Sequence, residues 1–306
     1  MRGWLFLALA LPSLVGCTTQ AIEDADDEAE ARSIETWVVL ERVDADGQVR
    51  SNVSAKFVQV TDGDRSLAFK LVGVRPAIPA AGDCVSLASL EKLELLPADN
   101  RRANGTMSAD LVDAGDVTIS VEGADARVIK LSPRAFPDVA DFVSGVFYTS
   151  PDADTALPSA ARYSLAASGS QLVEGFFVEV DAPKSPVISS VSDGPSVQAV
   201  GDPPAEAVAT VGSDIHLGWE GAAVGEAGTV YVDFRGATTH RCTFADQGAA
   251  VLPAEILSAA DRGEATLTLH RLVERAVQID AADSSDEVRE ATVLFDFART
   301  VRLTVR

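Results

Sequence analysis

Apolar and polar residues alternate with a period of two over short runs along most of this 306-residue chain. That period is the signature of strands with one buried face. Trp37-Val38-Val39-Leu40, Phe57-Val58-Gln59-Val60 and Leu67-Ala68-Phe69-Lys70-Leu71-Val72 read as the first strands. Asp46-Gly47 and Asp62-Gly63 stand between them, where glycine accepts the positive φ of a tight hairpin turn. The rhythm continues through Val117–Val121, Val128–Leu131, Val146–Tyr148, Tyr163–Leu165 and Phe176–Val180. Hydrophobic residues make up 47% of the chain but aromatics only 6%, so Val, Ala and Leu must fill the core. An all-β protein is expected, because many short strands separated by turn signals make a sandwich or a barrel.

Asp181-Ala182-Pro183-Lys184-Ser185-Pro186 interrupts the series, since two prolines this close cannot sit in a central strand and stiffen a linker. A domain boundary placed there gives a β-rich domain over 35–184 and a second over 185–306. The second carries Ile215–Trp219, Val230–Phe234, Arg241–Phe244, Ala265–Leu269 and the run from Ala291 to Val305. Its length, strand number and single central Trp219 fit an immunoglobulin-like or fibronectin-III-like sandwich. Leu252-Pro253-Ala254-Glu255-Ile256-Leu257 predicts one short connecting helix, with proline at a first helical position.

The N-terminus reads differently. Arg2 gives a positive start, Trp4 to Leu11 is apolar, and Pro12-Ser13 breaks the run before Leu14-Val15-Gly16-Cys17. Residues 1–16 form a secretory signal peptide, too short for a permanent membrane helix of about 20 residues. Leu14-Val15-Gly16-Cys17 resembles the lipobox of bacterial lipoproteins. The resemblance implies that Cys17 receives a diacylglycerol, becomes the new N-terminus and is acylated on its amine. Several acyl chains anchor stably where one is marginal. Thr18, in place of aspartate, resembles the outer-membrane sorting pattern of enteric bacteria. The expected location is the cell envelope, lipid-anchored in the outer membrane and facing either the periplasm or the cell surface. Residues 17–34, with Glu23, Asp24, Asp26, Asp27, Glu28 and Glu30 against Arg32, read as a lipidated acidic tether that cannot order itself.

The formal net charge is −21. Such a surface repels phosphate backbones, whose binding depends on Lys and Arg displacing counterions, so nucleic acid is not an expected partner.

Catalytic chemistry finds little support in sequence. No P-loop, dinucleotide fingerprint or Gly-x-Ser-x-Gly segment occurs, so no catalytic residue and no cofactor is expected. The three histidines are His216, His240 and His270. On a strand His240 and Cys242 point the same way, yet two ligands do not close a zinc site, and no metal is expected. Asp44-Ala45-Asp46-Gly47 begins like a calcium loop but lacks the distal acids, and a hairpin turn accounts for it. Asp280, Asp283, Asp286 and Glu287 read as a solvated loop. With Cys17 committed to lipid, Cys84 and Cys242 are the pair left for a disulfide, the alternative being two small buried thiols. Their bond would clamp the two domains together.

Cys242, Phe244, Asp246, Gly248, Leu252-Pro253 and Leu257 are similar to C-terminal domains of uncharacterised lipoproteins of bacteria such as myxobacteria. Leu157-Pro158, Tyr163, Gly169, Phe176-Phe177-Val178 and Ala182-Pro183 resemble the segment before such domains. The expected function is a non-catalytic, membrane-anchored module that binds a protein or polysaccharide of the envelope or of a neighbouring cell, or plays a structural part there. The alternative is an exported hydrolase or cation-dependent enzyme with an unrecognised site in 35–184, recruiting groups such as Asp138, Asp141 and Tyr148.

Overall fold

The computed structural model describes residues 34–62, 65–90, 108–123, 126–136, 143–152, 155–193, 198–199, 207–222, 228–279 and 289–306. The chain order is β1 (Ile34–Ala45), β2 (Gln48–Asp62), α1 (Arg65–Val72), β3 (Cys84–Ser86), β4 (Ser108–Leu111), β5 (Val117–Val121), β6 (Arg127–Lys130), β7 (Ser132–Ala135), β8 (Val143–Thr149), β9 (Arg162–Ala167) and β10 (Phe176–Asp181). There follow β11 (Ile188–Ser192), β12 (Gln198–Ala199), β13 (Ala207–Ala209), β14 (Ile215–Trp219), β15 (Thr229–Arg235), β16 (Thr239–Ala245), β17 (Ala249–Leu252), β18 (Gly263–Ile279) and β19 (Arg289–Val305). The fold is all-β, as the alternation requires.

One broad sheet runs β3-β16-β15-β18-β19-β1-β2-β4-β8-β7, with β13 added beside β19. Two four-stranded sheets, β10-β9-β5-β6 and β12-β11-β14-β17, complete the set among the described residues. Each small sheet buries its apolar face against a different part of the broad one. The first core joins Ile119, Tyr163, Leu165 and Val178 to Val38, Leu40, Phe57 and Phe295. The second joins Val191, Leu217, Trp219 and Leu252 to Val232, Phe234, Leu267 and Leu303. The architecture is therefore two sandwiches that share one sheet.

The shared element is the pair β18–β19. These strands lie antiparallel in unbroken register from Gly263↔Val305 to Ile279↔Arg289, a length of about 55 Å at strand rise. Odd-numbered positions on both point to one face. Leu267, Leu269, Val301 and Leu303 enter the second core, while Val273, Ile279, Val293 and Phe295 enter the first. The division after residue 184 thus cuts through a common wall, with β1 lying parallel to β19 from Thr36↔Ala291 to Ala45↔Thr300.

Between the two cores the same face turns charged. Arg271 donates to Asp246 and to the carbonyls of Glu220 and Lys184. Arg299 donates to Asp44 at 2.5 Å, and Arg42 reaches the Leu157 carbonyl and the Ser185 hydroxyl. Two of these arginines, Arg42 and Arg271, hold the proline-flanked linker through the Ser185 hydroxyl and the Lys184 carbonyl. Trp219 is the buried anchor expected of it, 4% exposed, and its Nε1 donates to Asp246 Oδ1 at 2.7 Å.

Two local expectations are revised. Leu67–Val72 lies within helix α1 rather than a strand; Ala68 and Val72, one turn apart, bury themselves beside Trp37 and Val58 in a third small core. The helix expected at 252–257 reduces to a 3₁₀ turn, Ala254–Ile256, followed by another, Ala259–Asp261. The Asp46-Gly47 turn is as expected, with φ of +54° and +74°. Among the described residues no helix is long and apolar enough to cross a membrane.

Candidate functional site

Cys17, the leader and the acidic segment through residue 33 lie outside the described residues, and Ile34, the last residue of the expected tether, opens β1. Asp138, Asp141, Asp280, Asp283, Asp286 and Glu287 also fall outside them. Cys84 and Cys242 are disulfide-bonded and directly opposed across β3 and β16. Cys242 is therefore withdrawn from any metal site shared with His240. Among the described residues no group of three or more His, Cys, Asp and Glu could hold a metal. His216 is exposed on β14, and His240 has a buried Nδ1 without a hydrogen-bond partner among the described residues. Tyr148 is engaged by Asp113, to which it donates, and its oxygen accepts the Ala114 N–H at 2.9 Å.

His270 belongs to a cluster that sequence did not single out. In antiparallel pairs directly opposed residues share a face. Tyr231 faces His270, Asp233 faces both Arg241 and Thr268, and Thr268 faces Thr300. These side chains lie on the face of the broad sheet opposite the second core. His270 Nδ1 lies 2.9 Å from Asp296 Oδ1, and the Tyr231 hydroxyl donates to Asp296 Oδ2 at 2.5 Å. The imidazole stacks on the Tyr231 ring with centroids 4.2 Å apart, and the Arg241 guanidinium lies 4.5 Å from the same ring. Arg241 grips Asp233 at two points, 2.7 and 2.8 Å. Burial, reinforced by Asp296, pushes the Tyr231 hydroxyl far above the ordinary tyrosine range. Burial works against the Arg241 charge, but Asp233 outweighs it and its pKa rises.

A strap formed by residues 73–83 covers this cluster. Arg75 pairs with Glu274 at 2.7 Å and lies over the Trp37 ring. Arg241 Nη1 donates to the Ala77 carbonyl at 2.6 Å. Gly82 and Asp83 exchange backbone hydrogen bonds with Thr243 before the disulfide fastens the end. An Asp–His pair is the arrangement that orients a general base. Here the other ring nitrogen, Nε2, faces Asp233 Oδ2 at 4.0 Å, a carboxylate rather than a hydroxyl or thiol. With Asp233 at 2% exposure and Arg241 at 12%, the cluster is a sealed, mutually satisfied network.

Beyond the strap the same face opens into a cleft of about 560 Å³. Its floor carries Thr266 and Thr300; Arg235, Arg302, Glu264 and Asp46 surround them. Register places Arg235, Thr266 and Arg302 in one row across β15, β18 and β19. Arg302 leans on Asp46 of the β1–β2 turn at 2.6 Å. Arg235 is exposed and makes no ion pair among the described residues.

The buried cluster did leave a trace in sequence: Asp233 and Asp296 each interrupt strongly apolar runs, Val230–Phe234 and Leu294–Phe297. A charge flanked by apolar residues on both sides marks a strand buried on both faces. The cleft left none, because Arg235, Thr266 and Arg302 alternate like any solvent-facing residues. Comparison of the chain with known protein families and with curated proteins gave no match.

Proposed function

We propose that this protein is an exported lipoprotein of the bacterial cell envelope, held by lipid on Cys17. On this reading the acidic segment lifts a non-catalytic body off the membrane, and that body binds or supports another envelope component, protein or polysaccharide, or one on a neighbouring cell. The observation that carries export is the pair Cys84–Cys242, bonded and opposed on adjacent strands. Such bonds persist in oxidising compartments and are rare in the cytosol. The leader ending at Leu14-Val15-Gly16-Cys17 supplies the route and the anchor.

A binding or structural role is favoured over catalysis by the state of the His270 cluster. Its acid–base groups are committed to one another beneath the strap, whereas the open cleft beside it carries the exposed Arg235, which makes no ion pair among the described residues. Ligands are taken by concave sites with a few convergent polar groups. Affinity capture from detergent-solubilised envelopes, using the intact lipidated chain as bait, tests the role. Specific recovery of one envelope component supports it; a chain that captures nothing and whose deletion leaves the envelope unaltered contradicts it.

A further inference from the structure

We infer that the cleft between β15, β18, β19 and the β1–β2 turn is a binding site for a carboxylated saccharide, a uronate unit of an acidic polysaccharide. The inference deepens the binding role proposed above and rests on it for the setting in which such a polymer is met.

The size fits. A volume of about 560 Å³ falls within the range of about 300–1,000 Å³ that small-ligand sites occupy. The site is also built on rigid elements, because its floor is three adjacent strands of one continuous sheet. Arg235 and Arg302 stand two strands apart with Thr266 between them, a spacing of about 10 Å between backbones. A sugar ring fits between them. A guanidinium offers a planar fork that matches a carboxylate at two points, and Arg235 makes no ion pair among the described residues.

The remaining groups decide the class of anion. Glu264 and Asp46 line the same cleft. A compact dianion such as phosphate would meet their repulsion and offer no donor to Glu264, Asp46 being already held by Arg302. A polyhydroxylated ligand instead donates its hydroxyls to them and shares further hydrogen bonds with Thr266 and Thr300, each hydroxyl of which both donates and accepts. One carboxylate on a ring otherwise covered in hydroxyls answers Arg235 and Glu264 together. A neutral sugar leaves Arg235 unanswered. The formal charge of −21 disfavours anions at long range, so this recognition depends on contact.

Isothermal titration of the full chain in detergent micelles with tri-galacturonate tests the assignment, with maltotriose and inorganic phosphate as comparison ligands. Saturable binding of tri-galacturonate is expected, weakened about tenfold or more in Arg235→Ala and less in Arg235→Lys. Arg235 is exposed, so unfolding midpoints of both variants should match the parent, which separates lost binding from lost fold. No saturable binding overturns the inference. So does equal affinity for maltotriose or phosphate, or an Arg235→Ala variant that binds as the parent does. The anchor on Cys17 is not read by this experiment, so a negative result here leaves the envelope location to its own test.

Discussion

Arg271 and Asp246 form a two-point ion pair at the junction of the two cores, Nε donating to Oδ2 at 2.7 Å and Nη2 to Oδ1 at 3.2 Å. Their side chains keep 5% and 2% exposure, so neither charge has water to fall back on. The pair joins β18, common to both sandwiches, to the turn after β16, and through Trp219 to the small sheet of the second one.

Removing one partner should leave an uncompensated buried charge. Arg271→Met is expected to lower unfolding stability by about 3–5 kcal/mol, read as a shift of the urea midpoint. Asp246→Asn keeps an oxygen for Trp219 Nε1 but leaves the buried Arg271 charge without its counter-charge, and should destabilise as well. An Arg271→Met midpoint equal to the parent's would show that the junction is not held by this pair.

The Cys84–Cys242 bond closes a loop with a sequence separation of 158 residues. The chain-entropy model assigns such a loop about 5 kcal/mol, with typical measured values of about 2–4 kcal/mol. The double variant Cys84→Ala, Cys242→Ala should unfold at correspondingly lower denaturant, with the strap opening first. Hydrogen exchange over residues 73–83 reads that order. Peptide mapping without reductant should recover the two cysteines linked, and free thiols at both would contradict the structure.

All three tyrosines resist ionisation. Burial, with help from Asp113, pushes Tyr148 up to about 12, and burial pushes Tyr163 and Tyr231 higher still. A raised folded pKa contributes stability that is complete below the unfolded value of 10.0 and is lost as pH rises through the folded value. Lys56 acts in the opposite sense: burial lowers its pKa, so stability grows as pH climbs toward 10.5. Stability should therefore hold or rise up to about pH 10 and fall between there and about pH 12. Tyrosinate absorbance should appear only together with unfolding. A titration centred on 10.0 in a chain that retains its far-ultraviolet circular dichroism would refute this.

Gly145 is paired with Leu111 across β4 and β8 at a φ of +116°. A Cβ there would lie 2.8 and 2.9 Å from the Leu111 carbonyl carbon and amide nitrogen, both backbone atoms that cannot step aside. Gly145→Ala is expected to destabilise by at least the about 1–3 kcal/mol of ordinary overpacking. A thermal melt identical to the parent's would contradict the close approach.

What could be read from sequence was local. Trp37–Leu40, Phe57–Val60 and the Asp46-Gly47 turn gave their strands and hairpin because period and turn chemistry act between neighbours. Leu67–Val72 misled because a short apolar run suits either period, and only the packing of Ala68 and Val72 on Trp37 and Val58 decides for helix. The pairing of β1 with β19 was out of reach: register over some 255 residues of separation, as between Asp44 and Arg299, leaves no periodic mark. The same holds for the sites. Asp233 and Asp296 could be noticed as charges in apolar runs, but their union with Tyr231, Arg241 and His270 exists only once four strands are aligned.

The most direct measurement is the mass of the N-terminal peptide of the mature protein recovered from bacterial envelopes. A peptide beginning at Cys17 and carrying diacylglycerol and an amide-linked acyl chain is the result this account predicts. An unmodified Cys17, or a mature chain that begins elsewhere and leaves the cell without lipid, would contradict it.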